Sequence, residues 1–295
     1  MSPNTPLGSV ACNMQEHPTL CYPVAKINLG LNVVERRSDG YHNLETVFYP
    51  VPICDELEVS LSPTPTSEDI PATDCELTLE GIRIEGDPQK NLIVRAYQLL
   101  KQDFPRIPRV CTRLKKGIPT QAGMGGGSSD GAYMLVMLNE LCQLHLTTEQ
   151  LKGYAARLGA DCAFFIDPKP QYAEGIGEKL SPVPLSLKGW HIGIVRPDIP
   201  VSTGEAYSLI TPRKPVRNCR EVIAQPVETW RDQLTNDFEE GIFRLHPTLG
   251  KVKQQLYDLG AVYAAMSGSG SALFGLFREP VELPFDGMFH CCIPL

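Results

Sequence analysis

The sequence predicts an α+β fold in two domains, and three observations support this. The 295 residues are enough for two hydrophobic cores. Strand-like segments dominate the first part of the chain and helical segments the later part, without the regular alternation of a doubly wound sheet. Apolar residues make up 42% and charged residues 21%, ordinary values for a protein that buries a core. We place the domains at 21–178 and 179–295.

The first predicted elements are a leader and several strands. Residues 1–20 mix Pro, Asn, Ser and Thr without periodicity, which is typical of a flexible leader. The segments "AKINLGLNVVER" and "LETVFYPV" flank the turn "SDGYH" and predict a β-hairpin. Two further alternating segments, "DELEVSLSPT" and "CELTLEGIRIEG", are joined by the polar residues 63–74, expected to form an exposed hairpin tip. We therefore expect an antiparallel sheet.

The middle of the chain predicts helices around a glycine-rich loop. Apolar spacing in "LIVRAYQLLKQDF" predicts a helix with Asn91 as its N-cap. The segment "RVCTRLKKGI" predicts a strand that leads into the loop, and a buried helix follows from about Ser128. Next, "TTEQLKGYAARLG" predicts a capped helix, followed by a glycine turn and a short apolar segment.

The last part of the chain predicts a second domain that begins with the strand "LKGWHIGIVRP". The boundary before it is expected between about 168 and 188. The chain ends in "YAAMSGSGSALFGLF", which predicts a strand, a glycine loop and a strand. Helices are expected between these strands near residues 203–210, 219–225, 236–243 and 248–259.

Charge and composition exclude several classes of protein. A formal net charge of −7 argues against a nucleic-acid-binding role, which needs an excess of Lys and Arg. There is no signal-peptide pattern and no apolar run long enough to span a bilayer, so we predict a cytoplasmic protein without a membrane partner. Ten scattered cysteines without a C-x-x-C pair indicate reduced thiols, and a structural zinc site is not expected.

The stretch "GIPTQAGMGGGSSD" is the strongest local signal for a ligand. Glycines at the start of a helix expose backbone N–H groups where the helix dipole favours an anion such as phosphate. The stretch is not a Walker A loop, because no lysine precedes the serine, and no βαβ unit surrounds it as in a dinucleotide fold. Two alternatives remain open: Ser128, Ser129 and Asp130 could simply cap the helix, or Ser129 could be a nucleophile, although no G-x-S-x-G elbow surrounds it.

Three separated segments together resemble the superfamily of galactokinase, homoserine, mevalonate and phosphomevalonate kinases, the GHMP kinases. They are "PVAKINLGLNV", "PTQAGMGGGSSD" and "AAMSGSGSALFG", which match its three motifs in order. The resemblance implies a two-domain GHMP kinase fold, with an N-terminal domain like domain 2 of ribosomal protein S5 and a ferredoxin-like C-terminal domain. It also implies ATP and Mg²⁺ as cofactors.

Within the superfamily, the chain resembles the kinases that phosphorylate the 2-hydroxyl of 4-diphosphocytidyl-2-C-methyl-D-erythritol in the non-mevalonate isoprenoid pathway. The segments "RSDGYHNLETVF", "NLIVRA", "LGADCAFF", "AEGIGE" and "NDFE" extend this similarity over about residues 22–278. Gly131 departs from the family's usual alanine, and "DCAFF" from its usual proline-containing run. Neither departure removes a reacting group.

The resemblance implies roles for individual residues. Asp161 corresponds to the catalytic base and Lys26 to the lysine beside it, a pair suited to accepting the alcohol proton and balancing charge in phosphoryl transfer. The substrate would contact Asn28, Tyr41, His42, Tyr207, Ser267 and Gly268, with the two tyrosines sandwiching cytosine and His42 selecting it largely through its backbone. The nucleotide would contact Asn91, Pro119, Thr120, Gln121, Ala122, Gly123, Met124, Gly125, Gly126, Gly127, Ser128 and Ser129.

The sequence leaves open some alternatives to these roles and to this activity. Asn91 is equally suited to capping its helix and to touching adenine, and no residue is singled out as a ligand of Mg²⁺. The chain could be a related kinase acting on homoserine, mevalonate or a sugar, or a non-enzymatic nucleic-acid-binding module on the same scaffold. We expect a small-molecule substrate, and a monomer or weak homodimer.

Overall fold

The computed structural model describes residues 18–62, 74–84 and 86–295. Three four-stranded sheets, seven α-helices and three short 3-10 helices lie in these residues, and the predicted α+β fold class is confirmed. The strands are β1 (Thr19–Cys21), β2 (Val24–Arg36), β3 (His42–Cys54), β4 (Glu56–Leu61), β5 (Cys75–Gly81), β6 (Val110–Lys116), β7 (Gln171–Glu174), β8 (Lys179–Pro182), β9 (His191–Arg196), β10 (Tyr263–Met266), β11 (Leu273–Phe277) and β12 (Phe289–Pro294). The helices are α1 (Leu92–Asp103), α2 (Gly126–Leu141), α3 (Thr148–Leu158), α4 (Thr203–Ser208), α5 (Cys219–Ile223), α6 (Phe238–Leu245) and α7 (Pro247–Asp258).

The first sheet has the strand order β1-β4-β6-β5, and it corrects the predicted hairpin. Strands β4 and β5 do not pair with each other, because β6 lies between them, and β5 runs parallel to β6. The predicted hairpin tip at 63–74 falls almost entirely outside the described residues. The sheet packs on α1 and α2 through a core that includes Leu57, Val59, Ile93 and Leu135.

The second sheet has the order β2-β3-β7-β8 and contains the predicted hairpin of β2 and β3. Nine consecutive residues of β2 are buried, although its sequence alternates apolar and polar residues. Both faces of β2 are therefore covered. Its apolar side chains Ile27 and Leu29 enter a core, while its polar side chains Lys26 and Asn28 are also removed from bulk water.

The third sheet has the order β10-β11-β9-β12 and shares a hydrophobic core with the second sheet. Ile192, Ile194 and Phe274 of the third sheet belong to the same core as Ile27 and Leu29. Residues of α6 and α7 pack in a further core with β10 and β11. The four helices predicted for this region are present as α4 to α7. Because the second and third sheets share this core, the position of each sheet relative to the other is fixed. Each sheet and its connecting segments form one half of the molecule at the site.

The leader and the domain boundary differ in part from the predictions. Residues 1–17 lie outside the described residues, but Thr19 and Leu20, predicted as part of a flexible leader, pair with β4. Strand β8 begins at Lys179, yet it pairs with β7 of the second sheet. The boundary remains a prediction, and this pairing favours a position between β8 and β9.

The described residues contain no helix that is both long and apolar enough to cross a bilayer. The nine cysteines within those residues form no disulfide bond with one another.

Candidate active site

The glycine loop leads from β6 into α2 and leaves the first backbone amides of the helix open. Helix α2 begins at Gly126, two residues before the predicted start, because Gly125 adopts the left-handed conformation with φ of 71° and ends the loop. The first intrahelical bond runs from the Ser129 N–H to the Gly125 carbonyl oxygen at 2.8 Å. The preceding N–H groups of Gly126, Gly127 and Ser128 therefore have no acceptor within the helix and can bind an anion.

This arrangement corrects the alternative in which side chains cap the helix. Ser128, Ser129 and Asp130 lie inside the first turns of α2, and no side chain forms an N-cap hydrogen bond there. The Ser129 hydroxyl is fully buried, which also leaves it inaccessible as a nucleophile. Glycine and open amides, rather than a capping side chain, thus define the start of the helix.

The loop is fixed from two sides by backbone contacts. On one side, the Lys26 N–H of β2 donates to the Met124 carbonyl oxygen at 3.0 Å. On the other side, the Ala272 N–H donates to the Ala122 carbonyl oxygen at 3.3 Å, and the Ser267 hydroxyl donates to the Gly123 carbonyl oxygen at 2.9 Å. The loop therefore contacts both halves of the molecule.

A pocket of about 380 Å³ lies over the loop. Its lining includes Asn91 and every residue from Pro119 to Ser128, all predicted as nucleotide contacts. Ser129 differs, because its side chain is fully buried and its N–H is committed to the helix. Asn91 both caps α1, with Oδ1 accepting from the Ile93 N–H at 2.9 Å, and lines the pocket. Its Nδ2 group takes no part in the cap and is able to donate to a base.

A buried charge cluster lies beneath the loop. The Lys116 ammonium contacts Asp55 Oδ2 and lies 2.8 Å from Asp130 Oδ2. Asp55 Oδ1 accepts from the N–H groups of Gly117 and Ile118 at 2.7 and 2.9 Å. Burial raises the pKa of Asp130, although Lys116 acts in the opposite direction. The cluster ties the start of the loop to α2, since Asp130 belongs to the helix and Gly117 to the loop.

Lys26 and Asp161 meet at the inner end of a second, larger cleft. Lys26 Nζ lies 3.4 Å from Asp161 Oδ2, and the Lys26 side chain is 4% exposed while that of Asp161 is 32% exposed. Burial lowers the pKa of Lys26, and the Asp161 carboxylate opposes that shift. A carboxylate open to the cleft beside a buried cation can accept a proton from a bound hydroxyl.

The surroundings of Lys26 restrict its position. Its Nζ atom donates to Asn28 Oδ1 at 2.6 Å and lies 4.9 Å from the centre of the Phe48 ring. A Cβ atom on Gly125 would lie 3.2 Å from Cγ of Lys26 and 2.7 Å from the Phe165 ring. A glycine is thus needed at 125 for both its backbone conformation and its space.

The larger cleft has a volume of about 860 Å³ and adjoins the loop pocket. Gln121, Gly123 and Gly125 line both spaces. Lys26 and Asp161 line the cleft, as do the predicted substrate residues Asn28, Tyr41, His42, Tyr207 and Gly268. A ligand in the loop pocket and a ligand in the cleft would therefore meet beside Lys26 and Asp161.

The aromatic end of the cleft contains one contact that the sequence did not predict. The His42 ring stacks on the Tyr207 ring, with centroids 4.9 Å apart and an interplanar angle of 17°. Tyr207 also meets Phe238 edge to face, and Tyr41 is largely exposed at the cleft. Burial raises the pKa of Tyr207 to about 12, so the ring stays neutral at physiological pH. The predicted sandwich of Tyr41 and Tyr207 remains a prediction, with His42 now beside it.

The small-residue loop at 267–270 is held from behind. Asn236 is buried, and its Nδ2 group donates to the carbonyl oxygens of Met266 and Gly268, each at 2.8 Å. Ser267, predicted as a substrate contact, is 1% exposed, and its hydroxyl donates to the Gly123 carbonyl oxygen. Gly268 does line the cleft. Ser267 therefore braces the two loops, whereas Gly268 is placed to face a ligand.

Several cleft residues were missed by the sequence reasoning. Ser202 and Thr203 line the cleft at the start of α4, where the Ser202 hydroxyl accepts from the Glu205 N–H. The pattern "VSTGE" could have indicated this cap. Thr46 of β3 lies in the wall of the cleft without exposed surface of its own, and it gave no signal because it looks like an ordinary strand threonine.

Fold and site together define the class of protein. The chain matches the model of the GHMP kinases N terminal domain over residues 91–167 and that of the GHMP kinases C terminal domain over residues 220–283. These ranges contain the glycine loop, Asp161 and the 267–270 loop. The class is therefore that of the GHMP kinases, ATP-dependent enzymes that phosphorylate small molecules.

Comparison with individual relatives identifies the family within that class. It is 51% identical to the 4-diphosphocytidyl-2-C-methyl-D-erythritol kinase of Bacteroides fragilis over 273 residues, which covers 92% of this chain and 97% of the relative. It is also 51% identical to the enzyme of that name from Bacteroides thetaiotaomicron, with coverage of 90% and 94%. The chain belongs to the family of 4-diphosphocytidyl-2-C-methyl-D-erythritol kinases.

Solved structures agree with this placement. A crystal structure of 4-(cytidine 5'-diphospho)-2C-methyl-D-erythritol kinase superposes with a TM-score of 0.72 at 32% identity, covering 89% of this chain and 91% of that one. The mevalonate kinase of L. major, solved in complex with R-mevalonate, gives a TM-score of 0.66 at 13% identity, with coverage of 96% and 99%. The second similarity shows the shared fold alone.

Proposed function

We propose that this protein uses ATP to phosphorylate the 2-hydroxyl of 4-diphosphocytidyl-2-C-methyl-D-erythritol. One observation carries the mechanism: a pocket over open helix amides and a larger cleft adjoin beside Lys26 and Asp161. The identity of the substrate is inferred from the family to which the chain belongs. The geometry accounts for the chemistry, because phosphoryl transfer requires the two reactants to be aligned at one point.

The loop pocket binds the triphosphate of ATP. The open amides of Gly126, Gly127 and Ser128 face the anion at the positive end of α2, and Gly123 and Gly125 let the phosphates approach the backbone closely. Asn91 contacts adenine through its Nδ2 group. The close packing of the loop against β2 and the 267–270 loop holds these donors in place before the nucleotide arrives, which reduces the cost of ordering them.

The Lys26–Asp161 pair acts on the acceptor alcohol. As the 2-hydroxyl oxygen forms its bond to the γ-phosphorus, Asp161 accepts the hydroxyl proton, and the bond between the γ-phosphorus and the bridging oxygen breaks to release ADP. The Lys26 ammonium balances the negative charge that collects around this point. Because it is buried, its charge is weakly screened by water and acts strongly on the reacting atoms.

The aromatic end of the cleft binds the cytidine. Tyr41 and Tyr207 offer ring faces for stacking on cytosine, and stacking by itself does not select one base over another. His42 supplies selection, largely through its backbone, while its ring packs on Tyr207. Asn28 and Gly268 lie at the reacting end of the same cleft and contact the methylerythritol part.

Magnesium is part of the proposal, since the triphosphate needs charge compensation. The residues beside the loop fit such an ion: Ser128 lines the loop pocket and carries a hydroxyl, and oxygen is the ligand atom that Mg²⁺ prefers. The described residues contain no cluster of three or more His, Cys, Asp or Glu side chains suited to a metal. The ion would therefore be held mainly by phosphate oxygens, with Ser128 as the protein ligand, and would neutralise charge on the transferred group.

Location, oligomeric state and other partners are also part of the proposal. A cytoplasmic location, a monomer or weak homodimer, and the absence of a nucleic-acid partner stay predictions from the sequence. Action on homoserine or mevalonate is less favoured, because the solved kinases for those substrates are no more than 16% identical to this chain. Such similarity concerns the fold alone.

The direct test is a product assay. Purified protein is incubated with Mg·ATP and 4-diphosphocytidyl-2-C-methyl-D-erythritol, and phosphorus NMR is used to look for ADP and a new phosphomonoester on the 2-oxygen. Homoserine and mevalonate, each at the same concentration, are the controls. We expect the monoester only with the cytidine substrate. ADP release with one of the other alcohols, together with failure of CDP to compete, would overturn the proposal.

A further inference from the structure

Thr46 lies behind Asn28 and Lys26 at the inner wall of the cleft. It lies on β3, and its side chain is fully buried. Its hydroxyl donates to the Gly30 carbonyl oxygen at 2.5 Å and accepts from Asn28 Nδ2 at 2.9 Å. The hydroxyl is therefore the link between the backbone of β2 and the amide that contacts Lys26.

The Gly30 carbonyl is available for this bond because β2 is irregular at that point. The pairing of β2 with β3 shifts register between Leu29 and Leu31, and Gly30 has a φ of 70°. A Cβ atom at this position would lie 2.6 Å from Leu234 and 2.7 Å from Cys219. The bulge therefore depends on glycine, and its carbonyl oxygen is presented to the Thr46 side chain.

The direction of the hydroxyl bond determines the orientation of the Asn28 amide. A threonine hydroxyl has one hydrogen, and a carbonyl oxygen can only accept, so the Thr46 hydrogen is committed to Gly30. The Thr46 oxygen can then only accept, which requires the NH₂ end of Asn28 to face it. The opposite end, Oδ1, consequently faces Lys26 Nζ at 2.6 Å.

We propose that Thr46 is a positioning residue for phosphoryl transfer, which fixes the Asn28 amide so that its oxygen accepts from the Lys26 ammonium beside Asp161. This inference rests on the proposed kinase function. Thr46 acts through Asn28 and Lys26, and it need not touch either substrate.

The orientation matters because Lys26 is buried and has few partners. Asp161 is the charged side chain that pairs with it, while β3 contributes the Phe48 ring and the glycine loop contributes Gly125. Burial already lowers the pKa of Lys26. If the amide rotated, its NH₂ group would face an ammonium, and two donors would oppose each other. The neutral amine would then be favoured at a lower pH, and its position relative to Asp161 would no longer be fixed.

The test compares two substitutions at Thr46 with a matched threonine elsewhere. Thr46→Val keeps the shape and removes the hydroxyl, whereas Thr46→Ser keeps the hydroxyl. Thr112→Val is the control, because the Thr112 side chain is also buried in a sheet and donates to a carbonyl oxygen, that of Glu76, at 2.7 Å. For each variant, kcat, both KM values, the pH profile and urea unfolding are measured.

We expect Thr46→Val to lower kcat by about tenfold or more, since a small misplacement of a reacting group is costly, with little change in the KM for ATP. Removing the Asn28 oxygen from the ammonium lowers the Lys26 pKa further, so the alkaline fall in activity moves to lower pH. Thr46→Ser restores the wild-type profile. Thr112→Val loses stability without either change.

Some results would overturn the inference. A wild-type kcat and pH profile in Thr46→Val would do so, as would equal losses in Thr46→Val and Thr46→Ser, which would indicate packing alone. If Thr46→Val does not fold, Thr46→Ala provides a second hydroxyl-free variant for the same measurements. If the wild-type protein has no kinase activity, the proposed function fails. The Lys26 titration, followed by NMR of carbon-labelled lysine, then tests the relay: the inference requires a shift to lower pH in the hydroxyl-free variant and is wrong without one.

Discussion

The Ser267 hydroxyl donates to the Gly123 carbonyl oxygen at 2.9 Å, joining two loops that are 144 residues apart in the sequence. One loop lies over the start of α2, and the other follows β10. They approach so closely that a Cβ atom on Gly123 would lie 1.9 Å from the Ser267 carbonyl oxygen. This contact joins the two loops at the site. It is possible only because Gly123 has no side chain.

Gly123→Ala should therefore disrupt the site. Gly123 has a φ of 71°, and the added methyl group would collide with backbone that cannot easily move. We expect a loss of several kcal/mol in the free energy of unfolding, or a displaced loop with a large increase in the KM for ATP. Gly260→Ala is the control, since Gly260 has a φ of 97° but open space around its Cβ position, and should cost about 1–2 kcal/mol. Equal effects from both variants would contradict the importance of the contact.

The buried ammonium of Lys26 should give the reaction an alkaline limit. Burial lowers its pKa, so it loses its proton at a lower pH than an exposed lysine, and activity that needs the ammonium is present below that pKa and falls above it. Lys26→Arg retains a charge at all accessible pH values. We expect this variant to be slower but to lack the alkaline fall in kcat/KM. The same alkaline fall in both proteins would show that another group causes it.

Tyr207 lines the larger cleft, and we propose that its ring binds the cytidine part of the substrate. Base stacking on an aromatic side chain contributes about 1–3 kcal/mol. Tyr207→Ala should weaken CDP binding by about tenfold or more, measured by calorimetry, while ADP binding stays close to wild type. Tyr207→Phe keeps the ring and its contacts with His42 and Phe238, and should bind CDP nearly normally. Unchanged CDP affinity in Tyr207→Ala would remove this residue from the base site.

The charge cluster beneath the loop should be essential for stability. Lys116→Met leaves Asp55 and Asp130 buried without their cation, which should cost about 3–5 kcal/mol in urea unfolding. The neighbouring Lys115→Met is the matched control, because Lys115 is half exposed and pairs with Glu56 on the surface, a contact worth about 0–1 kcal/mol. A small loss from Lys116→Met, similar to that of Lys115→Met, would contradict this account of the cluster.

Local features were predicted well because a few neighbouring residues determine them. Asn91 caps α1 through an amide only two residues away, and Thr147 forms a capping box with Gln150 at the start of α3. The β2–β3 hairpin and the glycine loop also follow from short stretches of sequence. The site residues came from motif resemblance, and most of those predicted do line the two pockets.

Features that depend on distant partners were not predicted. Strands β4 and β5 show similar alternation, and nothing in either segment indicates that β6 lies between them or that β5 is parallel to it. Lys116 contacts Asp55, which is 61 residues away in the sequence. The His42 ring contacts Tyr207, which is still further away in the sequence. The start of α2 was misplaced by two residues because the serines suggested a cap, while the positive φ of Gly125 sets the start.

The central claim is that Asp161, next to Lys26, accepts the proton of the attacking hydroxyl where the two pockets meet. The most direct measurement is single-turnover phosphorylation by Asp161→Asn, with ADP and CDP binding measured on the same protein. The substitution keeps the size of the side chain and removes its basicity. We predict that both ligands bind nearly as in the wild type and that the rate of phosphoryl transfer falls by about 10²-fold or more. Undiminished transfer with intact binding would contradict the account.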